Sequence, residues 1–502
     1  MVSISAQIFI TLCLTSHIQK CISSAPSSIE NFIALTKQPY FVDKSEFIKT
    51  FFEDINKHIF ITSPPGFCKT TNLQMLRLFC EIELDSSHKP KPYTSTKAYE
   101  IFNSLKISNY TDIIENHLGR HVVIHIDLES DTTMEKTIDI KKTVAFFNNK
   151  LYQSFEPYKW LLNIPKEELR SIYEINNEQI ELLENLDQKK LPNEGDSILQ
   201  TAALYNFASI LYLYFGKEVM ILVDNYDSVL NNFFRPSEND METFYKYMST
   251  VLSKTFDNIP RVTLRSLILG TTSLVLPHIL ERLSPSKHYN FLNDHSYTPH
   301  YAFTDAEATN LLLKYNCTPS RRLQVKKFYN GYKTKTKMTT IFNPSSLTKF
   351  LANISHPEAL IAYRNTSNKD GNFLLGFKED KILGHLLQNL VRNMTFKFDH
   401  HESYSLENFT TFFNTCQGLE YKGSPFEILF SYIFDRGYLT HGINQIIIPD
   451  VPITPDSIVH MNTTPNLEIW LNVKELSSFI TADEDLKKIG TNATKTDREM
   501  QT

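Results

Sequence analysis

Short apolar runs alternate with amphipathic stretches through the first 300 residues of this chain, and the pattern predicts an α/β fold. Apolar runs of strand length lie at residues 58–62, 122–127, 219–224 and 263–269. Because these runs are almost continuously apolar, we predict that they form a parallel sheet with helices on both faces. Between them, the stretches 45–56 and 198–215 carry apolar residues at helical spacing.

The loop after the first strand has the arrangement of a phosphate-binding loop. Its turn-forming residues precede a helix that opens with Lys-Thr, and the segment reads Ser63-Pro64-Pro65-Gly66-Phe67-Cys68-Lys69-Thr70-Thr71. In such a loop, backbone N–H groups surround phosphate oxygens, the lysine reaches the terminal phosphates and the threonine holds magnesium. We therefore predict nucleotide contacts from Gly66 to Thr71. Ser63 and Cys68 occupy the motif's two glycine positions, so an ordinary strand-to-helix turn remains the alternative.

The strand at 219–224 ends in Asp224, the second element that nucleotide chemistry requires. P-loop NTPases hold the magnesium shell with an aspartate at this place, so we predict Thr70 and Asp224 as metal ligands. The next position usually carries a glutamate that polarises the attacking water. Here it is Asn225, which cannot accept a proton, and Asp227 is the nearby acid that can replace it.

Hydroxyl side chains follow the strand at 263–269. Thr271 and Thr272 lie where ATPases place a polar sensor of the terminal phosphate, and we predict them as sensors. Hydroxyl residues are also ordinary turn formers after a strand, and that alternative stays open.

In their order along the chain, these motifs resemble the AAA-ATPase-like family over roughly residues 39–370. The matching segments are Tyr40-Phe41-Val42-Asp43-Lys44-Ser45, residues 61–70, Leu222-Val223-Asp224-Asn225-Tyr226-Asp227, residues 302–307, Tyr329-Asn330-Gly331-Tyr332, Phe342-Asn343-Pro344-Ser345-Ser346 and residues 363–367. The resemblance implies a P-loop core that binds ATP and Mg²⁺.

The departures from the family pattern concern phosphate binding and water activation. The loop arginines of the family are replaced by Ser63, Pro65 and Gly66, its glycine by Cys68, and its catalytic glutamate by Asn225. Packing positions such as Phe67 are kept. This pattern indicates that the fold persists while hydrolysis is weakened or lost, so enzymatic activity stays an open question.

The predicted architecture is a three-layer α/β P-loop NTPase-like core with a parallel sheet, a helical lid domain and a small mixed α/β C-terminal domain. We place a signal peptide at 1–25, the core at 26–300 with a helical insertion at about 131–215, the lid at 301–370 and the C-terminal domain at 371–502. We also expect the loop before Lys69 and the carboxyl group of Asp224 to meet across neighbouring parallel strands.

The N-terminus predicts secretion. Residues 8–14 form a short apolar centre, and residues 21–25 supply small side chains before a cleavage site, although a buried N-terminal helix is the alternative. A secreted protein can carry glycans at its Asn-x-Ser/Thr sites. These sites begin at Asn109, Asn316, Asn353, Asn365, Asn393, Asn408, Asn462 and Asn492.

Outside the leader, the cysteines are Cys68, Cys80, Cys317 and Cys416. A bridge between Cys68 and Cys80 would span about 18 Å along a helix, which is too far for a disulfide. Cys317 and Cys416 form the candidate disulfide, and four buried thiols are the alternative.

The charge balance excludes some partners. A net charge of −5 does not indicate binding to nucleic acid or to an anionic membrane. After signal cleavage, no stretch is long and apolar enough to span a bilayer. We therefore predict a secreted, degenerate AAA-ATPase-like protein that acts by binding an unidentified protein partner. The alternatives are an active Mg²⁺-dependent ATP hydrolase and an extracellular interaction scaffold that binds no nucleotide.

Overall fold

The structure is a computed structural model in which residues 29–129, 140–192, 202–228, 238–257, 262–273, 285–294, 296–335, 340–354, 396–397, 431–443 and 460–463 are described. The predicted leader, Cys416 and most of the predicted C-terminal domain lie outside these ranges. None of the helices within them is both long and apolar enough to cross a membrane.

A five-stranded parallel sheet forms the centre of the fold. Its strands are β1 (His58–Thr62), β2 (Val122–Asp127), β3 (Val219–Asp224), β4 (Thr263–Gly270) and β5 (Ser286–Asn290). They lie side by side in the order β2-β3-β4-β1-β5, and every pairing is parallel. All five carboxyl ends therefore meet at one edge, where open α/β sheets bind their ligands. The predicted parallel sheet is confirmed, and β5 is a strand that the sequence pattern missed.

The strand order corrects one expectation about the site. Because β4 lies between β1 and β3, the loop before Lys69 and Asp224 do not face each other across neighbouring strands. They still approach each other at the carboxyl edge, where the Thr70 hydroxyl and the Lys69 ammonium both act on the Asp224 carboxyl group. β4 ends between them, so Thr271 reaches the same cavity.

Helices occupy most of the remaining described chain. They are α1 (Ile29–Thr36), α2 (Glu46–Glu53), α3 (Lys69–Cys80), α4 (Lys97–Phe102), α5 (Thr111–His117), α6 (Ile140–Phe155), α7 (Lys166–Ser171), α8 (Asn177–Asp187), α9 (Ala203–Phe215), α10 (Glu238–Asp257), α11 (Thr298–Tyr301), α12 (Asp305–Lys314), α13 (Pro319–Tyr329) and α14 (Pro344–Ala352).

Side chains that alternate along β2 show that helices cover both faces of the sheet. His125 contacts Gln74 and Arg77 of α3, whereas the next residue, Ile126, packs among α6, α9 and α10. Successive residues of a strand point to opposite faces, so α3 and the α6–α9–α10 group lie on different sides. The predicted three-layer arrangement is therefore present.

Helix α2 is shorter than its apolar pattern suggests. The pattern at 45–56 places Ile55 on the buried face, but the helix ends at Glu53 and Ile55 is 90% exposed. The backbone at Asp54 is extended, with ψ 131°, and its carboxylate accepts hydrogen bonds from the N–H and side chain of Asn56. This local aspartate turn ends the helix before its last apolar residue is reached.

The segment predicted as a helical lid is a mixed unit. Besides α12, α13 and α14 it contains β6 (Phe303–Thr304), β7 (Asn330–Lys333) and β8 (Thr340–Phe342), an antiparallel sheet in the order β6-β8-β7. A second antiparallel sheet joins β9 (Phe396–Lys397), β10 (Thr440–Ile443) and β11 (His460–Thr463). A capping box links Thr304 and Glu307 at the start of α12.

A short segment from the C-terminal part of the chain packs into the central core. Asp435 is 3% exposed, and its carboxylate accepts the Ser273 N–H at 2.9 Å and the Asn290 side-chain amide at 3.0 Å. It thereby joins the residues after β4 to the end of β5. Sequence reasoning assigned this segment to a separate domain because long-range contacts leave no local pattern.

Candidate functional site

A cavity of about 330 Å³ lies at the carboxyl edge of the parallel sheet. Its polar wall comes from the loop after β1 and from the ends of β3 and β4, with Cys68, Lys69, Thr70, Thr71, Asn225 and Thr271. Its apolar wall comes mainly from α1 and the segment that follows, with Phe32, Leu35, Tyr40, Phe41 and Val42. Two such walls suit a ligand that combines charged groups with a flat, poorly hydrated part.

Lys69 is the first residue of α3, and its side chain folds back over the preceding loop. Its Nζ donates to the carbonyl oxygens of Ser63 at 2.5 Å and of Pro64 at 3.2 Å. A phosphate group would bind the same ammonium more strongly than a neutral carbonyl does, because both partners would then be charged. Thr70 and Thr71 continue the helix and also line the cavity.

Cys68 joins the loop to α3 through a left-handed backbone, with φ 53° and ψ 20°. For a residue with a Cβ this conformation costs roughly 1–2 kcal/mol, and glycine avoids the cost. Burial raises the pKa of the Cys68 thiol to about 12, so the group is a neutral thiol rather than a thiolate ligand at physiological pH. The cysteine therefore adopts the backbone that glycine would favour, at the expense of strain.

Asp224 ends β3 and is only 1% exposed. Its Oδ1 accepts the Asn225 backbone N–H at 3.0 Å, while its Oδ2 has no hydrogen-bond partner within the described structure. Burial raises the pKa of Asp224 to about 7; the Thr70 hydroxyl and the Lys69 ammonium oppose this shift, and Asp127 reinforces it. A buried, unpaired carboxylate oxygen is costly, and a divalent cation would satisfy it.

Asn225 connects the ends of two neighbouring strands. Its backbone is left-handed, with φ 57°, a conformation that asparagine tolerates better than most residues. Its Nδ2 donates to Oδ1 of Asp127 at 2.9 Å, and Asp127 ends β2 directly opposite Asp224. Sequence reasoning missed Asp127. The available signal was that two apolar runs, 122–127 and 219–224, both end in aspartate.

Asp227 holds the turn after β4. The side chain is 1% exposed, and its oxygens accept the N–H groups of Thr271 and Thr272 and the Thr272 hydroxyl at 2.8–3.1 Å. It does not line the cavity, so its geometry does not suit the base that the hydrolase alternative requires. Of the two predicted sensors, Thr271 lines the cavity, whereas the Thr272 hydroxyl is engaged by Asp227.

The first residues of helix α14 contact the loop that joins β1 to α3. Its N-cap residue Asn343 donates from Nδ2 to the Pro65 carbonyl at 3.0 Å, and the Ser345 N–H donates to the Gly66 carbonyl at 3.2 Å. Gly66 has φ +85°, and a Cβ on it would lie 2.6 Å from Oδ1 of Asn343. Because Gly66 has no side chain, Asn343 can approach the loop this closely. The sequence analysis assigned no role to Asn343.

Phe67 and Lys44, which both lie in segments that match the family, hold the loop and the cavity wall in place. The Phe67 ring is fully buried, and its centroid lies 4.7 Å from that of Phe291 and 5.0 Å from that of Tyr332. Phe67 is therefore a core anchor of the loop and not part of the cavity wall. Lys44 does line the cavity, and its ammonium pairs with the Glu307 carboxylate at 2.6 Å.

The candidate disulfide stays a prediction. Cys317 is 8% exposed, and Cys416 lies outside the described residues. Cys68 and Cys80 are both unbridged at opposite ends of α3, as the helix length predicts.

The sequence was compared with families of known proteins and with solved structures. A family described as "Predicted AAA-ATPase" matches residues 26–272. Residues 26–272 form an AAA-ATPase-like domain. A solved Walker-type ATPase of Pyrococcus abyssi is 10% identical, with a TM-score of 0.39 over 86% of this chain and 94% of that one. A similarity of that size says nothing about activity. No curated protein matches the sequence.

Within the AAA-ATPase-like domain and its neighbour α14, Asn343 offers a test of how the loop is held. Asn343→Ala removes a helix cap and the bond to Pro65, so we expect the free energy of unfolding to fall by about 1–2 kcal/mol. We also expect faster amide hydrogen exchange at residues 66–71, because the loop loses a fixed contact. Urea unfolding and hydrogen-exchange mass spectrometry measure the two effects.

Asn176→Ala is the matched control, since Asn176 caps α8 and has no described contact with the loop. It should reduce stability to a similar extent and leave hydrogen exchange at residues 66–71 unchanged. Equal exchange rates at residues 66–71 in both variants would contradict a role for Asn343 in holding the loop.

Proposed function

We propose that this protein binds a nucleoside triphosphate with Mg²⁺ in the cavity, that it turns the nucleotide over slowly at most, and that the bound state controls contact with a protein partner. The observation that carries the proposal is that Lys69 and Thr70 line the cavity and both act on the buried carboxyl group of Asp224, whose Oδ2 has no hydrogen-bond partner among the described residues. Asp224 itself does not line the cavity. An anion-binding ammonium, a metal-binding hydroxyl and a metal-binding carboxylate are the groups that a Mg²⁺–triphosphate requires.

The backbone supports phosphate binding at the same place. Helix α3 starts at Lys69, so its first N–H groups are available to an anion, as at any long helix N-terminus. Thr70 follows Lys69 immediately and supplies a hydroxyl ligand for Mg²⁺. In proteins, Mg²⁺ commonly binds such a ligand together with a carboxylate and phosphate oxygens.

The apolar wall supports a base rather than a small inorganic anion as the remaining part of the ligand. Phe32, Tyr40 and Phe41 contribute aromatic rings to the cavity. Aromatic side chains stack on nucleobases without selecting a sequence or demanding hydrogen bonds, at about 1–3 kcal/mol per base. A purine nucleotide fits this combination of walls.

Slow turnover is supported by the residues around the phosphate side. Asn225 replaces the glutamate of the family and cannot accept a proton. Asp227 is fully engaged with the turn after β4. Without a general base, hydrolysis loses a contribution that is typically 100- to 10,000-fold in rate.

Secretion and glycosylation form part of the proposal on sequence grounds. The apolar segment at 8–14 supports a leader, and two of the Asn-x-Ser/Thr sites, at Asn109 and Asn316, are exposed. Expression in a secretory host followed by glycosidase treatment tests this part. A chain that stays inside the cell with no mobility shift would contradict it, while leaving nucleotide binding unaffected.

Titration with a fluorescent ATP analogue and Mg²⁺ tests nucleotide binding. We expect saturable binding that Lys69→Ala weakens by about 10- to 100-fold, because the lost hydrogen bonds are to charged groups. We expect Cys68→Gly to bind more tightly, because glycine relieves the strained backbone at φ 53°.

Lys89→Ala, on an exposed turn, is the control for loss of a positive charge. Binding that is equal in wild type, Lys69→Ala and Lys89→Ala would overturn the proposed site. No binding by any of them, including Cys68→Gly, would favour the scaffold that uses no nucleotide.

A further inference from the structure

We propose that Asn225 positions the water that attacks the terminal phosphate, and that Asp127 is the positioning residue that fixes the orientation of the Asn225 amide. This inference rests on the proposed nucleotide binding and specifies how the same site achieves slow hydrolysis. It assigns a role to the residue that replaces the family's glutamate.

The orientation of the Asn225 amide follows from the chemistry of its partner. A carboxylate accepts hydrogen bonds and donates none, so only the NH₂ end of the amide can face Asp127. The observed contact is Nδ2 to Oδ1 at 2.9 Å. The amide oxygen therefore faces away from Asp127, and among the described residues no donor is bonded to it.

Asp127 is itself held in place. Its Oδ1 also accepts the Glu129 N–H at 2.9 Å, and its position opposite Asp224 is fixed by the parallel pairing of β2 with β3. The backbone of Asn225 is fixed at the same time, because its N–H donates to Asp224 Oδ1 at 3.0 Å. An amide that is constrained at both ends presents its oxygen in one direction.

That oxygen belongs to a residue of the cavity wall. Asn225 lines the cavity together with Lys69, Thr70 and Thr271, where the terminal phosphate would lie. A side-chain amide can orient an attacking water without accepting its proton, as glutamine does in small GTPases. The hydrogen-bonding capacity of Asn225 matches this task, although it does not match that of a general base.

The hydrolysis that this arrangement supports needs no proton acceptor from the protein. The water oxygen forms a bond to the terminal phosphorus as the bond from that phosphorus to the bridging oxygen breaks. The proton of the water passes to a terminal phosphate oxygen, so the products are the nucleoside diphosphate and inorganic phosphate. The Asn225 oxygen accepts a hydrogen bond from the water and is unchanged, and a slow rate follows from the missing base.

The experiment compares Asn225→Ala, Asp127→Ala and the double variant in single-turnover release of phosphate from ATP. We expect each single variant to lower the rate constant by about 10- to 100-fold, since misplacing a reacting group by about 1 Å costs up to that factor. The dissociation constant for ATP should change less than threefold. The double variant should be no slower than the singles, and Asp127→Asn, which keeps an acceptor oxygen, should retain part of the rate.

A second readout does not depend on turnover. If Asp127 and Asn225 act as a pair, their effects on the melting temperature of the nucleotide-free protein are expected to be non-additive. Asn56→Ala is the matched control, because Asn56 also donates an amide N–H to an aspartate, Asp54, at 2.8 Å but does not line the cavity. It should leave phosphate release unchanged.

The outcomes separate this inference from the proposed function. Wild-type protein that binds ATP but releases phosphate no faster than Asn225→Ala overturns the inference and leaves nucleotide binding intact. Additive effects of the two substitutions on rate overturn the role of Asp127. Wild-type protein that binds no ATP overturns the proposed function and this inference with it.

Discussion

Replacing Gly270 by alanine is expected to destabilise the protein by more than about 3 kcal/mol, at or beyond the upper end of the usual cost of overpacking. Gly270 ends β4, and a Cβ on it would lie 2.1 and 2.4 Å from ring carbons of Tyr226 and 3.0 Å from Oδ1 of Asp227. The Tyr226 ring is fully buried and its hydroxyl donates to the Thr272 carbonyl. The ring cannot move without breaking the turn that carries Thr271.

Urea unfolding monitored by circular dichroism measures this effect. Gly216→Ala is the matched control, because a Cβ at Gly216 meets nothing within 4 Å and only the left-handed backbone, φ +62°, opposes it. Gly216→Ala should lower the free energy of unfolding by about 1–2 kcal/mol. Equal stability of the two alanine variants would contradict the packing argument. In a Tyr226→Ala background, Gly270→Ala should cost less than it does in the wild-type protein, because the smaller side chain removes the clash.

Replacing Asp224 by asparagine is expected to stabilise the nucleotide-free protein at pH 8 while abolishing the Mg²⁺ dependence of nucleotide binding. The pKa of Asp224 is about 7 in the folded protein, against an ordinary value of 3.8. Between these values the folded state keeps a proton that the unfolded state releases, so stability falls as pH rises through this window. Above pH 7 the buried charge of Asp224 lowers the free energy of unfolding by a constant amount, on the order of 4 kcal/mol.

The variant should therefore differ little from wild type at pH 4 and should be more stable by a few kcal/mol at pH 8. In wild type, nucleotide binding that depends on Mg²⁺ should strengthen from pH 6 to pH 8, because the cation requires the ionised carboxylate. Thermal unfolding and titration at several pH values measure both effects.

Asp435 supplies the control for Asp224. It is similarly buried, but both of its oxygens accept hydrogen bonds. Asp435→Asn replaces one acceptor oxygen by an NH₂ group that faces another donor, so we expect destabilisation at every pH. A stability gain in Asp435→Asn, or a loss in Asp224→Asn at pH 8, would contradict the distinction between a buried carboxylate with one oxygen that lacks a partner and a buried carboxylate whose oxygens both accept hydrogen bonds.

Local sequence patterns predicted the strand before the loop and the helix after it, because each of these elements is formed by residues that are close together in the sequence. The strand 58–62 and the helix after Cys68 follow from an apolar run, a turn cluster and helical spacing. The Cys68 position was singled out because a glycine is expected there, and its left-handed backbone accounts for that expectation.

The partners of the site residues could not be predicted in the same way. Asp227 looked like a spare base because it is close to Asn225 in sequence, but the turn after β4 engages it. Phe67 looked like a nucleotide contact because it lies within the loop motif, but its ring is buried in the core. In both cases the direction of the side chain depends on strands and turns far away in sequence.

The amino-acid sequence by itself determined the parallel α/β core, the Lys69–Thr70 helix start and the acid at the end of β3, because hydrophobic periodicity and turn chemistry act over a few residues. Only the tertiary structure decided that β4 separates β1 from β3, that Asn343 closes on Gly66 and that Asp127 orients Asn225. These contacts join residues 98 and more positions apart. They are set by how the strands order themselves in the sheet, which no local pattern encodes.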